Sequence, residues 1–408
     1  MKMIKKLKIV MPDYFKQFKC IGGKCEDSCC IGWDIDVDEK TFRQYMKLDN
    51  EEFNTILAKN MQKNHECSNE FIDYGKVQLN KEKRCQFLNK CNYCIIHSKL
   101  GEDYLSNTCS HFPRVLNKVD EDYEISLDVS CPEAARIVLG NRIGFKFEKD
   151  DIQLKKYIIA GEIDTNDEEY EDHPIKYFKE IREFCIRIIK NRKFDLSERL
   201  YILGDFLYEV EEKSCDDSEM ICGFIEAYNI YDVAKNYRRN KDNYIMQISL
   251  LNNIINSLEI YEETDSELFK KYTKETIDGF NIESPEQLEK DSNRYINTFI
   301  EYSRNYIEEN EHIFENYLVN FMYNNLFPYS ESDSMFEGYM MLIMRYSLIR
   351  FYLVGKYLIN NTESSEEIIK FIQVFSKTVE HDKNYMEEIL DFLIENNFDN
   401  LEFTQMLI

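Results

Sequence analysis

Ten of the chain's thirteen cysteines lie in its first third, and several stand at the spacing of metal ligands. The run Cys20-Ile-Gly-Gly-Lys-Cys25-Glu-Asp-Ser-Cys29-Cys30 packs four thiols into eleven residues. Cys85, Cys91 and Cys94 follow, then Cys109 and Cys131. Thiolates are soft ligands that suit Zn²⁺ and iron–sulfur clusters, and a bound metal lowers the thiol pKa. A chelating loop needs ligands a few residues apart and a backbone able to fold back between them, which Gly22 and Gly23 permit. Adjacent Cys29 and Cys30 can rarely both face one metal from a regular backbone, so they serve two centres, or one site through a bent loop. Cys91-Asn-Tyr-Cys94 is a second short pair, followed by His97. The spacing is not that of a bacterial ferredoxin. A metal site is the reading, with zinc and an iron–sulfur cluster both open.

Length and charge narrow the rest. A chain of 408 residues exceeds one small core, so two or more domains are expected. Thirteen glycines and six prolines are few, which favours helices over a turn-rich sandwich. The net charge of -25 is uneven: residues 1–140 carry 21 Lys+Arg against 22 Asp+Glu, and residues 141–408 carry 30 against 54. No nucleic-acid partner is expected, because phosphate binding needs a cationic face. The acidic part suits a cationic partner such as a lysine-bearing protein segment, or simply a solvated surface. Met1-Lys-Met-Ile-Lys-Lys is a basic start, but the apolar run Leu7–Met11 is broken by Lys8 and ended by Pro12-Asp13, too short for a signal peptide. No stretch approaches the roughly 18 uncharged residues of a membrane span. The expectation is a cytoplasmic protein without a membrane partner, in a compartment where disulfides are rare and clustered cysteines point to metal or redox chemistry.

The fold expected is mainly α: a small cysteine-rich α+β metal-binding domain over residues 1–145, then an acidic all-helical domain over 146–408. Trp33–Val37 alternates like a strand, and Asp38 onward opens a helix with acids in its first turn. Glu124–Val129 alternates again, with Ile125, Leu127 and Val129 on one face and Glu124, Ser126 and Asp128 on the other. Cys131-Pro132 begins a helix, proline being tolerated at its first position. Further on, Tyr177, Ile181, Phe184 and Ile188 recur at helical spacing. Ser197 is the expected cap of a helix carrying Leu200, Leu203, Leu207 and Val210. Tyr244–Leu258 and Met386–Leu393 read as helices, and Tyr339–Leu358, apolar nearly all round, as a buried central one. Acidic loops are expected at Glu162–Asp172 and Glu262–Glu267. Cys185 falls on an apolar stripe and reads as a small core hydrophobe. Cys215 and Cys222 are isolated and receive no role.

An ordered set of motifs resembles a known family. Cys-x4-Cys-x3-Cys-Cys-x-Gly-Trp from Cys20 comes first, then Cys85-Gln-Phe-Leu ahead of Cys94-x2-His97. Leu-Gly-Glu-Asp-Tyr-Leu-Ser-x2-Cys109-x2-Phe-Pro-Arg114 and Ser-Cys131-Pro-Glu-Ala-Ala-Arg136 complete the set. Together they are similar to the flagellin lysine N-methylases of the FliB type. Glu315-Asn-Tyr-Leu-Val-Asn with Leu326-Phe-Pro328 looks like that family's helical part. The first block alone is shared with small proteins thought to chelate zinc or iron. The resemblance implies an S-adenosylmethionine-dependent protein-lysine N-methyltransferase acting on flagellin. It also implies Cys20, Cys25, Cys29, Cys30, Cys85, Cys94, Cys109 and Cys131 as ligands of a [4Fe-4S] cluster or of zinc. Cys67 and Cys91 fall outside its pattern. The spacing differs from the C-x3-C-x2-C of the usual radical enzymes that cleave S-adenosylmethionine.

Methylating lysine requires a neutral amine, although free lysine titrates near pH 10.4, so a proton acceptor or a desolvating channel is needed. No residue is identified as that catalyst. Trp33 is able to stack on a cationic or adenine group, although core packing is its ordinary role. Arg114 and Arg136 are candidates to hold the donor's carboxylate as a bidentate pair, or else to make surface pairs near the thiols. His97 and His111 flank ligands, and structural support is favoured for both over ligation or base catalysis. No Gly-rich strand–turn–helix fingerprint occurs, so the doubly wound methyltransferase fold is not expected. The competing reading is a non-catalytic zinc- or iron-binding module whose acidic helical domain docks a basic protein.

Overall fold

The computed structural model describes residues 6–49, 51–214, 218–257, 264–282 and 284–408. Residues 1–5 of the basic start, Cys215, the last residue of the Tyr244–Leu258 expectation and residues 262–263 of the second acidic loop lie outside these. The protein is mainly helical, with its sheets in the N-terminal part. Two compact units divide the chain: residues 1–137 with 146–162, and residues 138–145 with 163–408.

The first unit holds a five-stranded sheet in the order β7-β1-β6-β5-β8. Its strands are β1 (Lys6–Pro12), β5 (Arg114–Val119), β6 (Asp122–Leu127), β7 (Phe147–Gln153) and β8 (Ile159–Ile163). The apolar start is therefore a strand, with Leu7, Ile9 and Met11 on one face packed against Leu116 and Ile125. β1 runs parallel to β6 (Ile9 opposite Tyr123) and antiparallel to β7 (Leu7 opposite Ile152). In β6 the apolar face is buried as its alternation implies, but Glu124 and Ser126 on the other face are buried too, at 7% and 1% exposure. The expected boundary at residue 145 is corrected by β7 and β8, since both strands lie beyond it and join the sheet. β7 is an acidic edge strand, held by Lys16 to Glu148 (2.8 Å) and Asp150 (2.7 Å).

A second antiparallel sheet, β2-β4-β3, joins β2 (Asp36–Val37), β4 (Gly75–Val77) and β3 (Met61–Lys63). The strand expected over Trp33–Val37 is thus limited to its last two residues. Asp38 then caps the helix Glu39–Met46, accepting from the Thr41 amide at 2.9 Å. Its other oxygen accepts from the Asn107 amide (2.8 Å), which ties that cap to the helix Asn107–His111.

In the second unit the helix Met335–Asn360 is buried from Met335 to Tyr357. Its polar interruptions are bonded, although the Nε atoms of Arg345 and Arg350 have no hydrogen-bond partner. Arg345 pairs with Glu331 (2.8 Å), while Ser347 Oγ and Arg350 Nη2 both donate to the Leu407 carbonyl (2.7 and 2.8 Å). Burial of each large apolar side chain along it contributes roughly 1.5–3 kcal/mol. The helix Phe178–Ile189 buries Ile181, Phe184, Cys185 and Ile188, so Cys185 is the core residue its spacing implies. The helix Leu196–Ser214 begins before Ser197. Asp195 is its cap, in reciprocal bonds with Glu198: the Glu198 amide donates to Asp195 Oδ1 (2.9 Å) and the Asp195 amide to Glu198 Oε2 (2.8 Å). Residues 138–145 belong here because Asn316 Nδ2 donates to the carbonyls of Val138 (3.0 Å) and Asn141 (2.8 Å). Among the described residues no helix is long and apolar enough to cross a membrane.

Candidate functional site

The cysteine loop is shaped by two glycines. Gly22 has φ +56°, and a Cβ there would lie 2.6 Å from the Tyr93 ring; one on Gly23 would lie 2.7 Å from the Cys91 carbonyl oxygen. Only glycine lets the 20–25 loop lie this close to the 91–94 segment. The turn closes with the Cys25 amide donating to the Gly22 carbonyl (3.0 Å). Five residues on, the chain is bound elsewhere. The Cys30 carbonyl accepts from the Cys85 amide (2.9 Å), and Gly32 N donates to the Lys83 carbonyl (3.0 Å). Cys94 returns to the same place through its bridge with Leu88 and the Ile95 amide's bond to the Phe87 carbonyl (2.8 Å).

None of the twelve described cysteines is in a disulfide. Their sulfurs form neighbourhoods. Burial pushes the Cys85 thiol up, with the thiols of Cys30, Cys109 and Cys94 adding to it. Burial with help from Cys30 also raises Cys94, and raises Cys109 to about 12, although part of Cys109 meets solvent. Cys131 is pushed up to about 12 by burial, with Cys25 and Cys20 as its thiol neighbours. Cys29 is raised by a hydrogen bond with Cys30, then by burial, with Cys109 and Cys20 in reach. Cys67 stands apart, its sulfur on Asp73 Oδ1 (3.3 Å). Thiols held this high are protonated at neutral pH and are poor nucleophiles. A divalent metal reverses that order by displacing the protons.

In kind, this donor set fits a soft metal. Its sulfurs do not form a closed cage: among the described residues, no three Cys, His, Asp or Glu side chains converge as metal ligands do. Side-chain rotation, at about 0.5–1.5 kcal/mol for an unfavourable rotamer, is small beside the roughly 10–16 kcal/mol of a structural zinc site. His111 is buried, and neither ring nitrogen has a hydrogen-bond partner. Burial, then the charge of Arg114, lowers its pKa to about 4, so it is a neutral imidazole two residues from Cys109. His97 lies against Tyr93, ring centroids 5.6 Å apart.

The three residues expected to serve the methyl donor all flank the thiol loop. Trp33 Nε1 donates to the Cys29 carbonyl (2.6 Å), and its ring meets Phe112 edge-on at 5.2 Å. Arg136 is engaged by Glu26 (2.5 Å) and Glu133 (2.9 Å), the surface pairing considered as its alternative. Arg114 lies over the Phe18 ring (5.5 Å) and donates to the Ser110 carbonyl (3.3 Å). Sequence reasoning missed a groove of about 730 Å³ lined by Lys40, Arg43, Lys47, Lys155 and Lys156. Its cations come from two segments over a hundred residues apart, which left no local signal.

In the helical unit one acid is strongly perturbed. Glu363 lies 3.9 Å from Lys356, both side chains nearly buried, and the Lys356 ammonium sits over Tyr272 (4.6 Å) and Phe371 (5.6 Å). Burial lifts Glu363 from 4.5 to about 7 against the pull of Lys356, with Glu367 adding repulsion. The folded protein therefore keeps a proton that the unfolded chain releases above about pH 4.5. This contribution is fully present below that pH and is lost as pH rises through about 7. The difference is on the order of 3 kcal/mol. Glu363→Gln should flatten the fall in unfolding free energy between pH 5 and pH 8, read by urea titration at each pH; an unchanged slope would show that Glu363 does not titrate there.

Comparison with known proteins bears on the helical unit above all. Residues 182–407 match the profile of the FliB lysine N-methylase C-terminal domain, more than half of the chain. The chain belongs to the FliB lysine N-methylase family. The match runs from within the helix Phe178–Ile189 to Leu407 and includes none of the eight thiols proposed as ligands. A lysine-N-methylase of Salmonella typhimurium is 24% identical over 222 residues, 53% of this chain and 51% of that protein. One from Salmonella choleraesuis agrees to the same extent. The flagellar biosynthetic protein FliU of Salmonella muenchen is 29% identical over 142 residues, 34% of this chain and 80% of that protein. The chain spans about half the length of the two lysine-N-methylases. No solved structure matches it.

Proposed function

We propose that this FliB-family protein is a lysine N-methylase that transfers methyl groups from S-adenosylmethionine to lysine side chains of flagellin, with a thiol-bound metal centre in its N-terminal unit. The observation that carries this reading is the family match over residues 182–407, joined by relatives named lysine-N-methylase and a flagellar biosynthetic protein. The charge distribution supports a cationic substrate: the acidic excess lies beyond residue 140, where it draws lysine-bearing segments toward the helical unit.

The amine must shed a proton before it attacks the sulfonium methyl. The helical unit is rich in buried tyrosines, and Glu363, lifted by burial to about 7, has the pKa such a proton acceptor needs. Cys20, Cys25, Cys29, Cys30, Cys85, Cys94, Cys109 and Cys131 would hold the metal. As zinc it would supply folding free energy, and as a [4Fe-4S] cluster it would add redox capacity. The neutral, unpartnered imidazole of His111 supports a ligand in that neighbourhood. Trp33, Arg114 and Arg136 flank the thiol loop and remain the candidates for the donor side, and the cationic groove is a further place for the donor's carboxylate.

The decisive test gives the purified, metal-replete protein S-adenosylmethionine and unmethylated flagellin. Intact-mass spectrometry should show flagellin gaining methyl increments, and peptide mapping should place them on lysines. Flagellin of unchanged mass, in the reaction and in a comparison of a deletion strain with its parent, would remove the assignment.

A further inference from the structure

We propose that the cationic groove of the N-terminal unit binds the phosphate chain of a small ligand, either a nucleoside polyphosphate or an inorganic polyphosphate. Binding there is independent of methyl transfer.

One wall is a helix face. Lys40, Arg43 and Lys47 stand at i, i+3 and i+7 on the helix Glu39–Met46 and at its end, so cations line the groove over about 10 Å. Lys155 and Lys156, from the connection between β7 and β8, supply the other cations. Lys156 is half-buried and fixed. Its ammonium donates to the carbonyls of Asp103 (3.0 Å) and Leu105 and to Thr41 Oγ1 (3.4 Å). All three of its protons are engaged, so it acts on the groove as a fixed charge. Burial lowers its pKa; Asp38 opposes this and the Lys40 ammonium adds to it. Lys40 is thus close enough to repel Lys156, and an anion between the walls would relieve both.

Little in the protein answers these charges. Five cations line the groove against one carboxylate, Asp103. Asp103 pairs with Lys155 (2.9 Å) and Glu39 with Arg43 (2.6 Å), but both pairs meet solvent and open at little cost. Among the described residues Lys40 and Lys47 have no ion-pair partner. In a chain of net charge -25, such a concentration of unanswered cations in one concave site focuses a positive field on its occupant.

Donor chemistry chooses that occupant. Lysine and arginine side chains donate and never accept, so the walls suit a ligand made of acceptors. An acidic peptide also brings backbone N–H groups, and the groove holds few acceptors for them beyond Gln44 and Asp103. A methyl donor's single carboxylate reaches one end of the wall, and its ammonium and sulfonium add positive charge. Linked phosphates carry acceptor oxygens and negative charge along the whole wall, and the Arg43 fork takes two oxygens of one phosphate. Leu48 and Tyr104 give the groove an apolar side suited to a nucleoside's base.

The test is equilibrium dialysis of the full chain against ATP or inorganic triphosphate in magnesium-free buffer of low salt. One site per chain is expected, with affinity that falls as salt rises. Tighter binding of ATP would identify a nucleoside polyphosphate, and equal binding of the two an inorganic chain. Lys40→Ala combined with Lys47→Ala should weaken binding at least about tenfold with thermal unfolding unchanged, because both side chains are exposed and unpaired. Lys47→Glu alone should repeat the loss, whereas Lys149→Ala, outside the groove, should not. The proposal is overturned if neither phosphate compound binds, if these lysine substitutions leave binding intact, or if hexaglutamate or S-adenosylmethionine binds the groove more tightly than triphosphate.

Discussion

Glu315→Leu is expected to remove about 3–5 kcal/mol of stability, because it strands a buried guanidinium. The Arg199 side chain is wholly buried and donates from Nη1 to Glu315 Oε2 at 2.8 Å and to the Ile189 carbonyl at 2.6 Å. Burial alone pulls the Arg199 pKa down, and Glu315 is the main group that holds it charged. Arg192 closes a fork on the same carboxylate with two bonds of 2.9 Å, but it is 43% exposed and contributes little by itself. Glu311 also pairs with Arg199, so the loss should fall toward the lower figure. Removing both buried partners tests the cause: Glu315→Leu with Arg199→Met should recover most of the loss, since a matched apolar pair carries no unpaired charge. Urea unfolding of the single and double variants measures this. A single variant costing under about 1 kcal/mol would mean that Arg199 finds compensation elsewhere.

That pair shows why the fold was legible in part. Helices declare themselves locally: Asp38 where one opens, Pro132 at a helix start, and the nearly all-apolar stretch Tyr339–Leu358 within the buried helix Met335–Asn360. What those helices bury against each other was hidden, because Arg199 and Glu315 meet across 116 residues and nothing in either neighbourhood names the other. The edge strand β7 was missed for a different reason. Its sequence Phe-Glu-Lys-Asp-Asp-Ile-Gln has no apolar alternation, and charge on an edge strand guards against pairing with other chains. Serine is a good cap, but Asp195 holds that place ahead of Ser197 by adding the return bond to Glu198. In the cysteine-rich unit the density of thiols is plain in the sequence, and which segments meet is not. That depends on contacts such as Glu26 with Arg136, 110 residues apart, and on Cys30 meeting Cys85.

Gly279→Ala should cost about 3 kcal/mol, at the upper end for overpacking, although alanine is the better helix former by about 1 kcal/mol. Gly279 lies in the helix Glu267–Phe280 where it crosses Met335–Asn360. A Cβ there would sit 2.1 Å from the Gly355 carbonyl oxygen and 3.3 Å from the Leu358 Cβ. The obstacle is backbone, so no side-chain rotation relieves it and the helices must part. Separation also strains the bonds that close the crossing: Thr276 Oγ1 to the Tyr352 carbonyl (3.2 Å), Thr273 to the Tyr352 hydroxyl (3.1 Å), and the Phe280–Phe351 stack at 4.5 Å. Gly223 supplies the contrast, since a Cβ there would meet nothing within 4 Å in the helix Ile221–Ala227. Gly223→Ala should therefore gain about 0.5–1 kcal/mol from helix propensity alone. Thermal unfolding followed by circular dichroism should move the two variants in opposite directions. Equal shifts of the same sign would mean that the close approach of Gly279 to Gly355 does not limit the stability of the helical unit.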